Sequence, residues 1–342
     1  LMKHKTFFWF ILPTFLVMFV FIFLPIISTI LQSVHTPHDM ILITTENCDP
    51  FGCKQVTTLD HDAINKLKRN EPLGKFVGLE IYFDRGHLAI KNVSKLWYNN
   101  DSISQFLSSL YDLPFYKALF FTLTFTFTVT PIMLILGFLI ALAVNNINQK
   151  LRAMVIFFSL LPMIVTPLIG SIILFWMIDS RGIIGTLIQW MFNDPFLSLK
   201  ASTLLTWIML IVYGVWHAIP FSFIVFYAGL QTVPKDQIES ARIDGASKFQ
   251  EIIYITLPHL MPLITFVTLI QLMDNFRVFE PIVGFNAEAH ATSLSWIIFN
   301  DLGGETRQLS SAASSSILTI LGVSILLLPI LIRTWKDFYL KK

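Results

Sequence analysis

The sequence predicts an all-α integral membrane protein: six transmembrane helices, with a small extracytoplasmic subdomain between the first two. Three observations carry that reading. Of the 342 residues, 54% are hydrophobic and 13% are charged, with 32 phenylalanines. The mean hydropathy of +0.67 is far from the balance of soluble domains. Six windows hold the roughly 20 apolar residues needed to cross about 30 Å of hydrocarbon. They lie near Phe7–Gln32, Ala118–Val144, Met154–Ile178, Leu204–Leu230, Leu260–Gly284 and Ser314–Ile332. Lys and Arg are distributed unevenly between the segments joining these windows.

The first window follows "KHK" and has the look of a signal peptide, but its length and the lack of an A-x-A site predict a retained anchor, so residues 1–32 are an N-terminal segment plus one span. Leu1 ahead of Met2 reads as an upstream start or an added residue and is left out of the reading. Residues 33–116 are mostly polar, with apolar stretches "ILIT", "FVGLEIYF", "LWY" and "FLSSLY" that suffice for a small packed subdomain. Both cysteines fall here, in "NCDPFGC". Outside a bacterial inner membrane a Cys48–Cys53 disulfide closes the Pro-Gly turn; two free thiols are the alternative. Two cysteines are too few for a metal site, and none is expected.

Residues 117–342 hold the other five spans. An even number of spans leaves both termini on one side. The termini and short loops of that side carry Lys3, Lys5, Lys150, Arg152, Lys235, Arg242, Lys248, Arg333, Lys336, Lys341 and Lys342, against Arg181, Lys200 and Arg307 on the other. The positive-inside bias therefore predicts a multi-pass protein of the bacterial inner (cytoplasmic) membrane with both termini cytoplasmic. The net charge of +2 gives no sign of nucleic-acid binding.

Between the fourth and fifth windows lies a polar insert, residues 231–258. Pro234 and Asp236 suit a helix start, Gly245 a stop, and Ser247-x-x-Gln250 a capping box that opens a second helix. Pro258 and Pro262 then lead into the fifth span. The prediction is a helix-turn-helix knob on the cytoplasmic side. Ser240, Ala241, Gly245 and Ala246 keep side-chain bulk low around the turn. A loop lying on lipid headgroups would have a Lys/Arg-rich polar face, whereas the charges here are mixed, which favours a protein partner.

The spacing Glu239-Ser240-Ala241, three residues, Gly245, nine residues, Ile255-x-Leu257-Pro258 resembles the "EAA" signature of the membrane subunits of binding-protein-dependent ABC importers. Ser240 stands where the first alanine is usual. "FVGLEIY" (Phe76–Tyr82) is similar to the "FxGLxNY" passage of the carbohydrate-uptake branch, with Ile81 in place of Asn, and the likeness runs through most of the chain from Phe76. A long loop after the first span resembles the first permease of maltose-type and glycerol-phosphate-type systems. The resemblance implies a coupling helix, with Glu239, Ser240, Ala241, Asp244, Gly245, Ala246, Ile255, Leu257 and Pro258 docking on an ATPase. It also implies the partners: a second permease, two cytoplasmic ATPase subunits and an extracytoplasmic solute-binding protein. The chain has no GxxxxGK[ST] loop, so ATP hydrolysis is expected on another polypeptide, and no cofactor or catalytic residue is expected here.

Polar residues inside spans are costly, about 2.5–3.5 kcal/mol for Asp or Arg at the centre, and therefore face cavities or partners. "QLMDNFRVFEP" supplies Gln271, Asp274, Asn275, Arg277 and Glu280, with Asp274–Arg277 and Arg277–Glu280 spaced to pair. "VYGVWHAIPFSF" supplies Tyr213, Trp216, His217 and Phe221 at overlapping depth. Amides, carboxylates, an imidazole and aromatic faces suit a sugar, oligosaccharide or polyol. The other reading is that these groups only bind helices together. A membrane enzyme lacks a nucleophile or metal constellation in the spans, and an adhesion or scaffold protein leaves the insert unexplained. An ATP-independent secondary carrier is the stronger rival, since intramembrane charges also suit ion coupling; an ABC importer of a non-sugar solute is the other alternative.

Overall fold

The computed structural model describes residues 2–38, 41–49, 52–100, 102–304 and 307–340. It resolves into two compact units, Leu1–Tyr116 with Ile297–Ile320, and Lys117–Trp296 with Leu321–Lys342.

In the first unit, α1 (Met2–Met18) passes through a π-helical turn (Phe19–Phe23) into α2 (Leu24–Gln32). This run covers the first predicted span and leaves Phe8, Trp9 and Phe10 bare, as a lipid-facing helix does. Four strands follow in two antiparallel pairs: β1 (His35–Thr36) with β4 (Lys75–Phe76), and β2 (Leu42–Asp49) with β3 (Gly52–Leu59). The 33–116 segment thus includes a β-hairpin, whose Thr- and Val-bearing arms favour extended backbone. Its helices are α3 (His61–Asn70), α4 (Glu80–Phe83), α5 (Ile90–Asn99) and α6 (Ile103–Tyr111). Asp60 starts α3 by accepting from the Ala63 amide. Partly buried polar contacts join the unit: Tyr82 Oη donates to Ser33 Oγ (2.7 Å), and Ser311 Oγ to Asp301 Oδ2 (2.6 Å).

Next come α7 (Pro114–Asn146), α8 (Gln149–Ile164), α9 (Pro167–Met177), α10 (Ile183–Phe192) and α11 (Thr203–Leu230). The insert contributes α12 (Lys235–Ile243), α13 (Lys248–Glu251) and a π-helical turn (Ile252–Thr256). The chain closes with α14 (Leu257–Phe276), α15 (Glu280–Gly284), α16 (Leu294–Gly303) and α17 (Leu309–Leu340). The second unit's core is Phe121, Phe125, Val129 and Met133 of α7 against Leu210, Tyr213, Phe223 and Phe226 of α11, with Leu260 and Val267 of α14.

Among the described residues, five helical runs are long and apolar enough to span a membrane, and a sixth is made if α8 and α9 count as one. The window near Met154–Ile178 is not one continuous helix, because α8 and α9 meet at 96°. Pro167 is the cause. It lacks an N–H and pushes Thr166 into extended backbone (ψ 145°), so the helical ladder stops at Ile164 and restarts in a new direction. The fifth span also ends earlier than predicted, at Phe276; Arg277 caps it, and Glu280–Gly284 is a separate short turn of helix. That turn lies tightly on α9: a Cβ at Gly284 would collide with Ser171 Oγ.

Candidate functional site

The predicted functional residues gather in two places in the second unit. The first is the insert. Its turn is a Schellman motif: Ala246 N donates to Ala241 O (2.9 Å) and Gly245 N to Arg242 O (3.1 Å). Gly245 holds φ +82°, a region an L side chain enters only under strain, and no atom lies within 4 Å of where its Cβ would be. Ser247 then accepts from Gln250 N while Gln250 Oε1 accepts from Ser247 N, the predicted capping box.

Two contacts that sequence reading missed make this turn rigid. Arg242 of α12 donates to both oxygens of Glu251 on α13, at 2.8 and 3.0 Å. At the base, Thr232 Oγ1 and His259 Nε2 stand 3.1 Å apart, pinning the two ends of the insert. The knob presents apolar side chains to the outside, Ile243 (86% exposed), Tyr254 (74%) and Phe249 (70%). Glu239, Ser240, Asp244, Gly245 and Pro258 are exposed, while Ala241, Ala246, Ile255 and Leu257 are half-buried.

The second place is a cavity of about 540 Å³ among α8, α9, α11, α14 and the start of α15. Of the predicted pathway residues, Tyr213, His217, Phe221, Gln271, Asp274, Asn275, Arg277 and Glu280 line it. Trp216 does not; its ring lies beside Tyr213, with centroids 5.9 Å apart. Phe125, Met163 and Ile270 are among the other lining residues and carried no sequence signal beyond their apolar character.

The cavity exists because the third span is broken. At the break, the Val165 carbonyl lies past the end of α8 without a helical partner, and His217 Nε2 of α11 lies 3.3 Å from it, while Tyr213 Oη donates to Pro167 O in the first turn of α9 (2.7 Å). On the opposite wall Asn275 Nδ2 donates to Thr130 Oγ1 of α7 (3.0 Å), and Arg277 Nη2 reaches Asp274 Oδ1 (2.9 Å). The predicted Arg277–Glu280 ion pair does not form among the described residues. The helix end at Phe276 turns the chain between them.

Beyond the break, Lys200 lies 2.8 Å from Asp179 and 3.3 Å from the centroid of the Phe175 ring. The hydrogen bond from Lys200, helped by the Arg181 amide, holds the Asp179 carboxyl below the usual carboxylate range.

Residues 110–338, more than half of the chain, match the profile of a family described as "Binding-protein-dependent transport system inner membrane component". The chain belongs to this family. It is therefore an integral membrane transport subunit rather than an enzyme. This family member is 26% identical over 294 residues to the trehalose/maltose transport system permease protein MalF of Thermococcus litoralis, covering 85% of this chain and 81% of that one. It is 26% identical over 279 residues to the lactose transport system permease protein LacF of Rhizobium radiobacter, covering 75% and 85%. With the sn-glycerol-3-phosphate transport system permease protein UgpA of Yersinia pestis it shares 28% identity over 246 residues, 66% and 81% of the two chains. In fold it is similar to a chain in the crystal structure of a bacterial ABC transporter that imports the acidic polysaccharide alginate. The TM-score there is 0.68 at 19% identity, with 98% of this chain and 96% of that one covered.

Proposed function

We propose that this permease pairs with a second permease to form the membrane pathway for a sugar, oligosaccharide or polyol, delivered by an extracytoplasmic binding protein. Two cytoplasmic ATPase subunits dock on the 231–258 knob, and both termini share its side of the membrane. The 33–116 segment lies outside, where Cys48 and Cys53 are joined as a disulfide. Their backbones face each other in the β2–β3 ladder, a spacing that suits the bond; their side chains lie outside the described residues.

One observation carries the reading. A single helical run, Lys248–Phe276, joins the knob to the cavity. From Thr256 to Asn275 it advances about 28 Å at 1.5 Å per residue, so a push on the knob reaches the cavity wall as a rigid-body movement. The braced knob supports ATP-driven coupling over an ion-driven carrier, which has no use for a docking surface.

The test is co-expression with the neighbouring transport subunits, purification and reconstitution. The expected outcome is ATP-dependent uptake that requires the binding protein, with ATPase and second permease recovered in the complex. Uptake by this chain alone, driven by an ion gradient without ATP, would overturn it.

A further inference from the structure

We infer that the cavity takes neutral and amine-bearing sugars and turns away anionic ones, with Glu280 as the residue that discriminates. The inference rests on the cavity being the sugar pathway.

The charges of the lining do not cancel. Asp274, Arg277 and Glu280 are its ionic groups, and Arg277 is already spent on Asp274 at 2.9 Å. Glu280 has no ion-pair partner among the described residues, so one negative charge is left over at the cavity wall. Its place in the first turn of α15 positions the carboxylate but supplies no full positive charge.

The neutral groups lean the same way. A carbonyl only accepts, so the His217 nitrogen facing Val165 O is the protonated one, and Nδ1 is left as an acceptor. Tyr213 spends its proton on Pro167 O and keeps only lone pairs. Asn275 uses an amide proton on Thr130, which leaves its carbonyl oxygen freer than its nitrogen. What remains for a solute is therefore acceptors beside a carboxylate, together with the Gln271 amide and the N–H groups of Arg277 that Asp274 does not take up. Hydroxyls and ammonium groups can donate to such a wall, whereas a carboxylate or phosphate brings lone pairs and like charge to it. The named relatives include both neutral and anionic solutes, so family membership leaves the choice open.

Substituted-cysteine labelling reads the cavity charge directly, without knowledge of the natural solute. Ile270→Cys in the assembled transporter places a thiol in the lining, with the parent chain as control for Cys48 and Cys53. A cationic trimethylammonium thiosulfonate should label it at least about fivefold faster than an anionic sulfonate thiosulfonate, relative to free cysteine, the effect of one unit charge a few ångströms away. Adding Glu280→Gln should bring the ratio back to that of free cysteine. Millimolar maltose or glucosamine should slow labelling while glucuronate should not, until Glu280→Gln admits it. A ratio no higher than that of free cysteine, or one unmoved by Glu280→Gln, overturns the inference. If the ratio behaves as expected but no sugar protects the thiol, the charge assignment stands and it is the sugar-pathway reading that fails.

Discussion

Arg242 and Glu251 grip each other through two parallel hydrogen bonds, Nε to Oε1 at 2.8 Å and Nη2 to Oε2 at 3.0 Å, across the turn that separates α12 from α13. The pairing makes the two short helices one body. Neither Arg242→Gln nor Glu251→Gln should prevent assembly. Each should lower the uptake obtained per ATP hydrolysed by roughly two- to fivefold, at least the range of a surface ion pair, since Arg242 is exposed but Glu251 is buried. The exchanged pair Arg242→Glu with Glu251→Arg should recover part of the loss. Coupling ratios in proteoliposomes check this.

At Gly245 the open space around the missing Cβ separates backbone strain from steric clash. Gly245→Asn should be tolerated best, Gly245→Ala should cost about 1–2 kcal/mol of turn stability, and Gly245→Val should do worst, uncoupling ATPase activity from transport. Equal coupling in the three variants would show that the left-handed turn is dispensable.

Asn275 and Asp274 are neighbours with different duties. Asn275→Ala strands Thr130 in a buried site, so it should destabilise the complex by about 1–3 kcal/mol, and Thr130→Val should match it. Asp274→Ala breaks only an exposed pair, and should lower uptake while leaving the melting temperature in place. Parallel uptake and thermal unfolding measurements distinguish them.

Asp179 sets a pH dependence with a definite sign. Its carboxyl is held below its unfolded value by Lys200, so the contribution is complete above the ordinary aspartate range, near pH 4, and is lost as pH falls through the lower folded value. Melting temperature should decline in that acidic window in the parent protein, and the decline should be smaller in Asp179→Asn.

For the cysteines, peptide mass spectrometry without reduction should recover residues 48 and 53 as one linked species. Alkylatable thiols at both positions in protein isolated without reductant would dismiss the bond.

Much of this was legible in the sequence, because the signals were local. Apolar runs located the spans, Ser247 and Gln250 announced a helix start three residues apart, and Gly245 marked a stop. The Arg242–Glu251 pair was hidden because its partners are nine residues apart and meet only after the chain reverses. The bend at Pro167 was missed for another reason: counting apolar residues measures length, and a proline between two apolar stretches changes direction without changing hydropathy. The same blindness carried the fifth span on to Gly284, past a helix that stops at Phe276. Trp216 shows the limit of depth arguments, since it shares a level with His217 but faces a different way.

The broken third span also orders events during biosynthesis. The 11 residues of α9 reach about 17 Å and the 16 of α8 about 24 Å, so neither crosses the hydrocarbon alone. A nascent chain that has not yet produced residue 203 has no His217 to donate to the Val165 carbonyl, and bending then would leave that group bare in lipid. The expectation is that the third segment enters the bilayer as one straight run and bends only when the fourth arrives beside it. His217 would then serve a helix made before it, and a ribosome-stalled chain ending ahead of Thr203 should hold that segment straight.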